Sequence, residues 1–250
     1  MALDTTSLPE TRTPDLEALS IKVFADGADT RAIVDLLQNP LIQGITTNPT
    51  LMRKIGVSDY EAFARELLEA VPQLPVSLEV FSDEFDEMER QALKIAGWGE
   101  NVYVKIPVTN TRSEDAGPLL TRLAGAGVKV NVTALMTLEQ VRHTSECLAE
   151  APAGYVSVFA GRVADTGRDP VPLMAAAVEA MKPYPNLELI WASPRELLNI
   201  FQADAIGCHV ITVTHDVLAK LGGVGRDLDD YSLGTVQMFF DDARAAGYSL

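Results

Sequence analysis

The sequence predicts an α/β fold in which eight parallel strands, each followed by a helix, close into a (β/α)8 barrel, the TIM barrel. Eight short runs of β-branched residues alternate with segments of helical periodicity, and the run ends recur about every 27 residues, which suits one strand–helix unit. Strands that are separated by helices form a parallel sheet. An open doubly wound sheet would begin with a glycine-rich turn, whereas the first junction here reads DGADT.

The strand assignments follow from the positions of these runs. The candidate strands are IKVFAD (21–26), GITTN (44–48), VSLEV (76–80), NVYVKIP (101–107), KVNVTA (129–134), YVSVFA (155–160), LELIWAS (187–193) and HVITVT (209–214). Between them, apolar residues recur at helical spacing, as in YEAFARELLEAV (60–71). The GGVGRD segment (222–227) follows the last strand and a helix, so we interpret it as a turn rather than a nucleotide loop.

The domain organisation is predicted to be simple. Residues 1–19 are polar and are expected to form a loose N-terminal extension, and residues 20–250 a single barrel domain. An extra C-terminal helix is predicted at residues 231–246. Its apolar residues Met238, Phe239 and Phe240 would cover either the barrel or a neighbouring copy of the chain, which leaves a homo-oligomer open.

The composition indicates a soluble globular enzyme. Of 250 residues, 47% are hydrophobic and 22% are charged, and no apolar run predicts a membrane-spanning helix. The N-terminus lacks the pattern of a secretory signal, and Cys147 and Cys208 form no CxxC motif, so a cytoplasmic location is expected. The net charge of -15 argues against a nucleic-acid partner, because a phosphate backbone needs a basic face.

Polar residues cluster where the predicted strands end, which is the end of a barrel that carries chemistry. The set comprises Asp26, Thr46, Thr47, Asn48, Glu79, Lys105, Asn131, Thr133, Ser157, Ser193, Thr212 and Thr214. A strand buried on both faces should avoid such groups, because each costs free energy unless it is paired. The pattern therefore predicts a site at this end of the barrel.

Lys105 is the strongest candidate for a nucleophile. It lies in VYVKIPV, a run of β-branched and aromatic residues without another charge. A buried ammonium group is costly, and a neutral amine can add to a carbonyl to form a Schiff base. The alternatives are a lysine that extends from the strand end to solvent and a lysine paired with a carboxylate. Lys22 lies at the start of its strand and is assigned no role.

Carboxylates and neutral polar groups accompany this lysine. Asp26 ends strand 1 and Glu79 ends strand 3, and two carboxylates in separate environments can move protons during Schiff-base chemistry. Asn131 and Thr133 are two residues apart on strand 5, so both can face the interior. Two alternatives stay open: Asp26 as the cap of the next helix and Glu79 as a structural partner of Lys105.

Arginines after the later strands predict a phosphate site. Arg162 follows strand 6, and Ser193 and Arg195 follow strand 7. Pro194 is a natural first helical residue, which predicts that Ser193 caps a helix whose N–H groups face an anion. Arginine can also bind two phosphate oxygens at once, in a bidentate pair. The alternative is a simple helix cap with two surface arginines.

The three histidines do not predict a metal site. His143 is expected to be a solvated side chain. His209 and His215 flank strand 8 at a spacing that no metal motif uses.

Taken together, these residues resemble the transaldolase family, including its short-chain members and the related fructose-6-phosphate aldolases. The matching segments are FAD with Asp26, GITTNPTL with Asn48, SLEV with Glu79, VKIPVT with Lys105, NVT with Asn131 and Thr133, VSVFAGR with Ser157, Phe159 and Arg162, and ASPR with Ser193 and Arg195. They keep their order and their strand–helix spacing from residue 21 to residue 216.

The resemblance implies a class I enzyme whose Schiff-base lysine, on strand 4, is Lys105. Asp26 would be the acid/base of C–C cleavage, and Glu79 and Thr133 would hold the water that relays protons. The other implied roles are donor-hydroxyl binding by Asn48 and Asn131, contact with the dihydroxyacetone part by Ser157, and phosphate binding by Arg162, Ser193 and Arg195. No metal and no organic cofactor is implied, and the partners would be small sugar phosphates.

Two positions favour a transferase over an aldolase. Aldolases of this family that release free dihydroxyacetone carry Gln where Glu79 stands and Tyr where Phe159 stands. A phenol near the iminium can supply the proton that releases the ketone, and Phe159 cannot. We therefore expect transfer of a dihydroxyacetone unit from a ketose phosphate (fructose 6-phosphate or sedoheptulose 7-phosphate) to an aldose phosphate.

Three departures from the family's pattern bear on which substrate the chain binds rather than on the type of reaction. After VKIPVT the family has an EGL-like turn, whereas this chain reads NTRSEDAGPLL, with Arg112. Pro194 replaces an aromatic residue, and the N-terminal extension is longer. Three alternatives stay open: an aldolase that releases free dihydroxyacetone, a transaldolase specific for an unusual phosphorylated or sulfonated sugar, and a non-catalytic barrel that binds a phosphosugar.

Overall fold

The eight predicted strands form one closed barrel in the computed structural model, which describes residues 14–248. Each strand pairs in parallel with its neighbours in chain order, and β1 pairs with β8 to close the ring. The strands are β1 (Lys22–Asp26), β2 (Ile42–Thr46), β3 (Val76–Glu79), β4 (Val102–Pro107), β5 (Val130–Leu135), β6 (Gly154–Val158), β7 (Leu187–Trp191) and β8 (Val210–Thr214). The predicted (β/α)8 class is confirmed.

Helices connect the strands. They are α1 (Thr30–Leu36), α2 (Pro49–Lys54), α3 (Tyr60–Ala70), α4 (Phe85–Ala96), α5 (Gly117–Gly125), α6 (Leu138–Cys147), α7 (Ala160–Ala164), α8 (Val171–Met181), α9 (Leu198–Ala205), α10 (His215–Leu218) and α11 (Leu228–Ala245). Local side chains determine several of the starts. Asp59 accepts from the amide of Ala62 at 3.0 Å, and Thr137 forms a capping box with Gln140.

One predicted helix start is wrong. We expected Ser193 to cap a helix beginning at Pro194, but α9 begins only after this loop. Ser193 has a φ of 59°, in the left-handed region, whereas a helix cap lies in the β region. The amides of Arg195 and Glu196 donate to Oδ1 of Asn199 at 2.8 and 3.1 Å, so they are satisfied without a helix. The predicted anion site therefore has no helix N-terminus at Ser193.

An aromatic layer fills the barrel below the strand ends. Phe24 is fully buried, and its ring meets Tyr155 edge-on with the centroids 5.6 Å apart. Gly44 on β2 makes room for this ring, because a Cβ there would lie 2.6 Å from it. Side chains alternate along a strand, so Phe24 lies one layer below Asp26. The ring is therefore part of the floor beneath the polar strand ends.

The amino-terminal end of the barrel contains charged residues of its own. Nζ of Lys22 lies 2.6 Å from Oε1 of Glu188, so this lysine has a structural partner there. His209 lies at the same end, where its Nδ1 accepts from the N–H of Leu189 at 3.0 Å. These contacts belong to the opposite end of the strands from the predicted site.

The described residues form two compact units. Residues 20–219 form the barrel unit, and the second unit contains residues 14–19 and 220–248. The predicted C-terminal helix starts earlier than residue 231, because Asp227 caps it by accepting from the amides of Asp229 and Asp230.

Residues 1–13 of the predicted extension lie outside the described residues. The assignment of residues 20–250 to one domain stays a prediction. Among the helices of residues 14–248, none combines the length and the apolar character of a membrane span.

Candidate active site

The polar strand ends surround one cavity of about 560 Å³ in the barrel unit. All eleven predicted site residues line it: Asp26, Asn48, Glu79, Lys105, Asn131, Thr133, Ser157, Phe159, Arg162, Ser193 and Arg195. They come from β1, β3, β4, β5 and β6 and from the segments that follow β2, β6 and β7. The barrel therefore brings together residues that are far apart in the sequence.

Strand register places three of these residues side by side. Glu79 faces Lys105 across the β3–β4 ladder, and Lys105 faces Asn131 across the β4–β5 ladder. Side chains that are level on neighbouring strands point to the same face. A carboxylate, an amine and an amide therefore form one row across the interior wall.

Lys105 is buried, with 6% of the residue exposed. Its Nζ donates to the backbone carbonyl of Thr47 at 2.8 Å and lies 3.2 Å from Oε2 of Glu79. Both contacts hold the amine at one point of the cavity wall. The carboxylate provides a counter-ion for the ammonium form and an acceptor for its proton.

Asp26 lies at the end of β1 among hydroxyl and amide donors. Thr46 Oγ1 donates to its Oδ1 at 2.9 Å, and Asn48 Nδ2 lies 3.5 Å from its Oδ2. Burial raises the pKa of Asp26, and the positive charge of Lys105 and these two donors lower it only in part. A carboxyl with a raised pKa exchanges its proton closer to neutral pH, which suits acid–base chemistry. The cap of α1 is Asp29, so Asp26 has no capping role.

A line of hydrogen bonds orients the amide of Asn131. Ser157 Oγ donates to its Oδ1 at 2.7 Å, and its Nδ2 donates to Oγ of Ser77 at 2.9 Å. Asn131 and Ser77 are fully buried. The amide is thus held in one orientation by β3 and β6.

Thr133 lies one layer above Asn131 on β5. Its hydroxyl oxygen is buried and has no hydrogen-bond partner among the described residues. The next residue, Ala134, has a φ of 67°, a left-handed conformation that an L-residue adopts at a cost. The end of β5 is therefore bent at the point where Thr133 faces the cavity.

Arginines define the other side of the cavity. Arg195 donates through Nη1 to Oγ of Ser193 at 3.1 Å. Its Nε donates to Oδ1 of Asp165 at 2.9 Å, and its Nη2 bonds the second oxygen of that carboxylate. The Arg195 guanidinium lowers the pKa of Asp165. Arg162 lies with its guanidinium carbon 5.1 Å from the centroid of the Phe159 ring.

Sequence reasoning missed four residues of this arrangement. Thr46 and Thr212 were noted as polar strand ends without a role, yet their hydroxyls are hydrogen-bonded to each other next to Asp26. Ser77 was not noted, although it has the same parity as Glu79 on β3, which was the available signal. Asp165 was not considered, and its pairing with Arg195, 30 residues away in sequence, left no local signal.

The chemistry that this cavity supports follows from its two sides. One side holds a buried amine and two carboxylates, and the other presents two guanidinium groups. An amine with carboxylates can add to a carbonyl and move protons, and guanidinium groups bind an anion. In the described part of the chain, no group of three His, Cys, Asp or Glu side chains is arranged to hold a metal ion.

Comparison with known proteins decides the family. The profile of the family described as "Transaldolase/Fructose-6-phosphate aldolase" matches residues 23–249. The chain belongs to this family. The match includes all eleven cavity residues named above.

Several relatives of the transaldolase/fructose-6-phosphate aldolase family are similar over nearly their whole length. A "Probable transaldolase" of Dehalococcoides mccartyi is 33% identical over 219 residues, which cover 84% of this chain and 98% of that protein. A "Probable transaldolase" of Thermoanaerobacter sp. is 32% identical over 231 residues, covering 92% and 100%. The family assignment by resemblance is therefore confirmed.

A solved structure of low sequence identity has the same fold. Dihydrodipicolinate synthase from Rhodopseudomonas palustris superposes with a TM-score of 0.55 at 14% identity, covering 78% of this chain and 70% of that one. This likeness concerns the barrel alone.

Proposed function

We propose that this chain is a transaldolase that moves a dihydroxyacetone unit from a ketose phosphate to an aldose phosphate through a Schiff base on Lys105. The observation that carries the proposal is the buried amine of Lys105, held 3.2 Å from the carboxylate of Glu79 in a cavity whose other side presents Arg162 and Arg195. The buried amine supports catalysis, because a site that only binds a sugar does not need one. The arginines support a phosphorylated substrate, because an amine alone would not select for phosphate.

In the first step the Lys105 amine adds to the donor carbonyl and gives a carbinolamine. Loss of water then forms an iminium, for which the carbinolamine hydroxyl must gain a proton. Glu79 contacts the amine, and the Thr133 hydroxyl is unpaired within the part of the chain that the structure describes, so these two groups can hold the water that carries protons.

In the second step the bond between C3 and C4 of the donor breaks. Asp26 takes the proton of the C4 hydroxyl, the carbonyl of the departing aldose phosphate forms, and the electron pair of the broken bond moves into the iminium to give an enamine. The raised pKa of Asp26 suits this exchange, because the same group must return the proton when the enamine attacks an acceptor aldehyde. Water then hydrolyses the new iminium and frees Lys105.

The remaining cavity residues bind the substrate. Asn131 pairs with Lys105 in the strand register and is hydrogen-bonded to Ser157, so both side chains are already oriented to contact the hydroxyls of the dihydroxyacetone part. Asn48 offers its amide nitrogen beside Asp26, because its oxygen already caps α2. Arg162, Ser193 and Arg195 would hold the phosphate.

Two residues support transfer rather than release of the ketone. Glu79 is a carboxylate, which can accept and return a proton, whereas a glutamine amide at this position could not. Phe159 lines the cavity without a hydroxyl, so it cannot protonate the enamine carbon. The enamine is then left to react with an aldehyde. The chemistry needs no metal or organic cofactor, because the iminium itself accepts the electron pair.

Trapping with borohydride tests the proposal. Incubation with fructose 6-phosphate and borohydride should leave a reduced dihydroxyacetone adduct on the peptide that contains Lys105. Lys105→Met should lose the adduct, and Lys22→Met, which removes a lysine at the opposite end of the barrel, should keep it. A phosphosugar that binds without forming an adduct would show that the barrel only binds.

A donor-by-acceptor panel tests the reaction type and the substrates. An acceptor aldose phosphate should yield a new ketose phosphate, and fructose 6-phosphate alone should release little free dihydroxyacetone. Rapid release of free dihydroxyacetone without acceptor would make the chain an aldolase. A sulfonated aldose in the panel shows whether the anion site prefers phosphate.

A further inference from the structure

The segment between β4 and α5, residues 108–116, folds as a short hairpin at the mouth of the barrel. The amide of Ala116 donates to the carbonyl of Val108 at 3.2 Å, and the amide of Asn110 donates to the carbonyl of Glu114 at 3.2 Å. Ser113 provides the turn, with a φ of 61°. The loop that follows the strand of Lys105 is therefore an ordered element with its own backbone pairing.

The tip of this hairpin is attached to the loop between β3 and α4. The Arg112 guanidinium contacts Asp83 at 3.2 Å, Glu84 at 2.8 Å and Glu114 of its own hairpin at 3.1 Å. Thr111 adds two bonds to Asp83, from its amide at 2.8 Å and from its hydroxyl at 2.6 Å. One arginine thus joins two neighbouring loops through three carboxylates.

The base of the hairpin is attached to the next strand. The amide of Val108 donates to the backbone carbonyl of Thr133 at 3.0 Å. On the outer side, Oδ2 of Asp115 contacts Nε2 of His143 on α6 at 2.8 Å. His143, expected to be only solvated, is half exposed and takes part in this attachment. The hairpin therefore extends from the loop after β3 to β5 and α6.

These attachments connect the strands that carry Glu79, Lys105 and Thr133, the three groups proposed to take part in proton transfer during iminium formation. Glu79 ends β3 just before the loop that Arg112 grips, Lys105 lies on β4 before the hairpin, and Thr133 bonds the hairpin's base. We propose that Arg112 is a positioning residue: it fixes the hairpin so that Glu79, Lys105 and Thr133 keep their relative positions during iminium formation. This inference rests on the proposed Schiff-base function.

The geometry of these contacts matters more here than the strength of the ion pairs. Exposed ion pairs stabilise a fold only slightly, and the side chain of Arg112 is 46% exposed. Three carboxylates and two further bonds from Thr111 nevertheless leave the hairpin tip few alternative positions. Catalytic rates are more sensitive than stability to such restraint, because a shift of about 1 Å in a reacting group can cost about a hundredfold.

A matched pair of variants separates positioning from stability. Arg112→Ala removes the ion pairs with Asp83 and Glu84 in the β3–α4 loop. Arg122→Ala is the control, since Arg122 on α5 pairs with Glu89 on α4 at 2.7 Å, and its side chain is also 46% exposed. Both variants remove an exposed arginine ion pair between the same two strand–helix units, but only one lies at the mouth. Arg112→Lys keeps the charge without the planar fork.

The readouts are the rate of borohydride-trapped adduct formation with fructose 6-phosphate, the KM for this donor and the Tm. We expect Arg112→Ala to slow adduct formation about tenfold with KM changed less than about twofold, and Arg112→Lys to recover part of the loss. Arg122→Ala should match the parent in rate while its Tm falls as in Arg112→Ala.

The outcomes that overturn the inference are distinct. An unchanged adduct rate in Arg112→Ala, or equal losses in both arginine variants, would leave Arg112 a purely structural residue. A raised KM with an unchanged rate would assign the hairpin to substrate binding instead. Absence of an adduct in the parent chain would overturn the proposed function together with this inference.

Discussion

Gly161 lies so close to Ser193 that a Cβ on the glycine would be 1.5 Å from the Ser193 carbonyl oxygen. The amide of Gly161 also donates to the carbonyl of Ala192 at 3.4 Å. The start of α7 is therefore packed directly against the backbone of the loop after β7. Arg162 and Arg195, one from each segment, depend on this contact for their common location.

Substitution of Gly161 by Ala is expected to move the β7 loop and separate the two arginines. Because backbone rather than a flexible side chain meets the new methyl group, we expect a loss of about 1–3 kcal/mol of unfolding free energy and a raised KM for phosphorylated donors. Gly125→Ala on α5 is the control, since no described residue beyond its own helical backbone lies within 4 Å of its Cβ position. Urea unfolding and donor kinetics measure both effects, and an unchanged KM would contradict the expectation.

Substitution of Asp26 by Asn should block C–C cleavage while leaving iminium formation intact. The variant should lose about a hundredfold or more in transfer rate, because an amide cannot accept the C4 hydroxyl proton. Borohydride should then trap the whole ketose phosphate on Lys105, and mass spectrometry distinguishes this adduct from a dihydroxyacetone adduct. Asp29→Asn, at the cap of α1, should behave as the parent chain. A dihydroxyacetone adduct in Asp26→Asn would exclude Asp26 as the base.

Substitution of Asp165 by Asn tests whether this carboxylate competes with phosphate for Arg195. Asn can still accept one hydrogen bond from the guanidinium, but it removes a negative charge from the anion side. We expect inorganic phosphate to inhibit the variant at a concentration about two- to fivefold lower than the parent, a modest change because the pair is exposed. Weaker inhibition would show that Asp165 mainly orients Arg195.

His209 should make the fold less stable in mild acid. Burial lowers the pKa of His209, with a smaller contribution from Lys22, while Glu188 opposes the change. A group whose folded pKa is lowered stabilises the fold above its unfolded pKa of about 6.5, and this contribution is lost as pH falls from there towards the folded value. Protonation of Nδ1 would also remove the acceptor for the Leu189 amide.

The free energy of unfolding measured in urea between pH 7.5 and 5.5 checks this expectation. His209→Asn replaces Nδ1 with an oxygen that accepts the same bond without titrating. The variant should lose less stability than the parent chain over this range. Equal slopes in the two proteins would exclude His209 as the source.

The barrel was predictable because its signal is local and repeated. Each strand is a short β-branched run with helical periodicity on both sides, so the pattern around Lys105 or Ser157 needs no distant information. The location of the site followed from the same pattern, since a polar residue near the end of a buried strand is costly unless it is used.

The conformations at the site were not predictable in the same way. Ser193 followed by Pro194 has the local features of a helix start, but the Asn199 side chain satisfies the loop amides and the chain turns at a positive φ instead. The ion pairs of Arg112 with the β3–α4 loop involve carboxylates that are 28 and 29 residues away in sequence. Such pairings follow from the barrel geometry, which strand periodicity alone does not specify.

The hydrogen bond between Thr46 and Thr212 joins residues 166 positions apart, from the second and the last strand, beside the carboxylate of the first. Asp26 thus acquires its full surroundings only when β8 docks on β1 and the ring closes. During refolding, helical structure can form early from local contacts, whereas this closure waits for the two ends of the unit to meet. Recovery of activity should therefore lag behind recovery of helicity. The return of catalytic activity then reports when the barrel has closed.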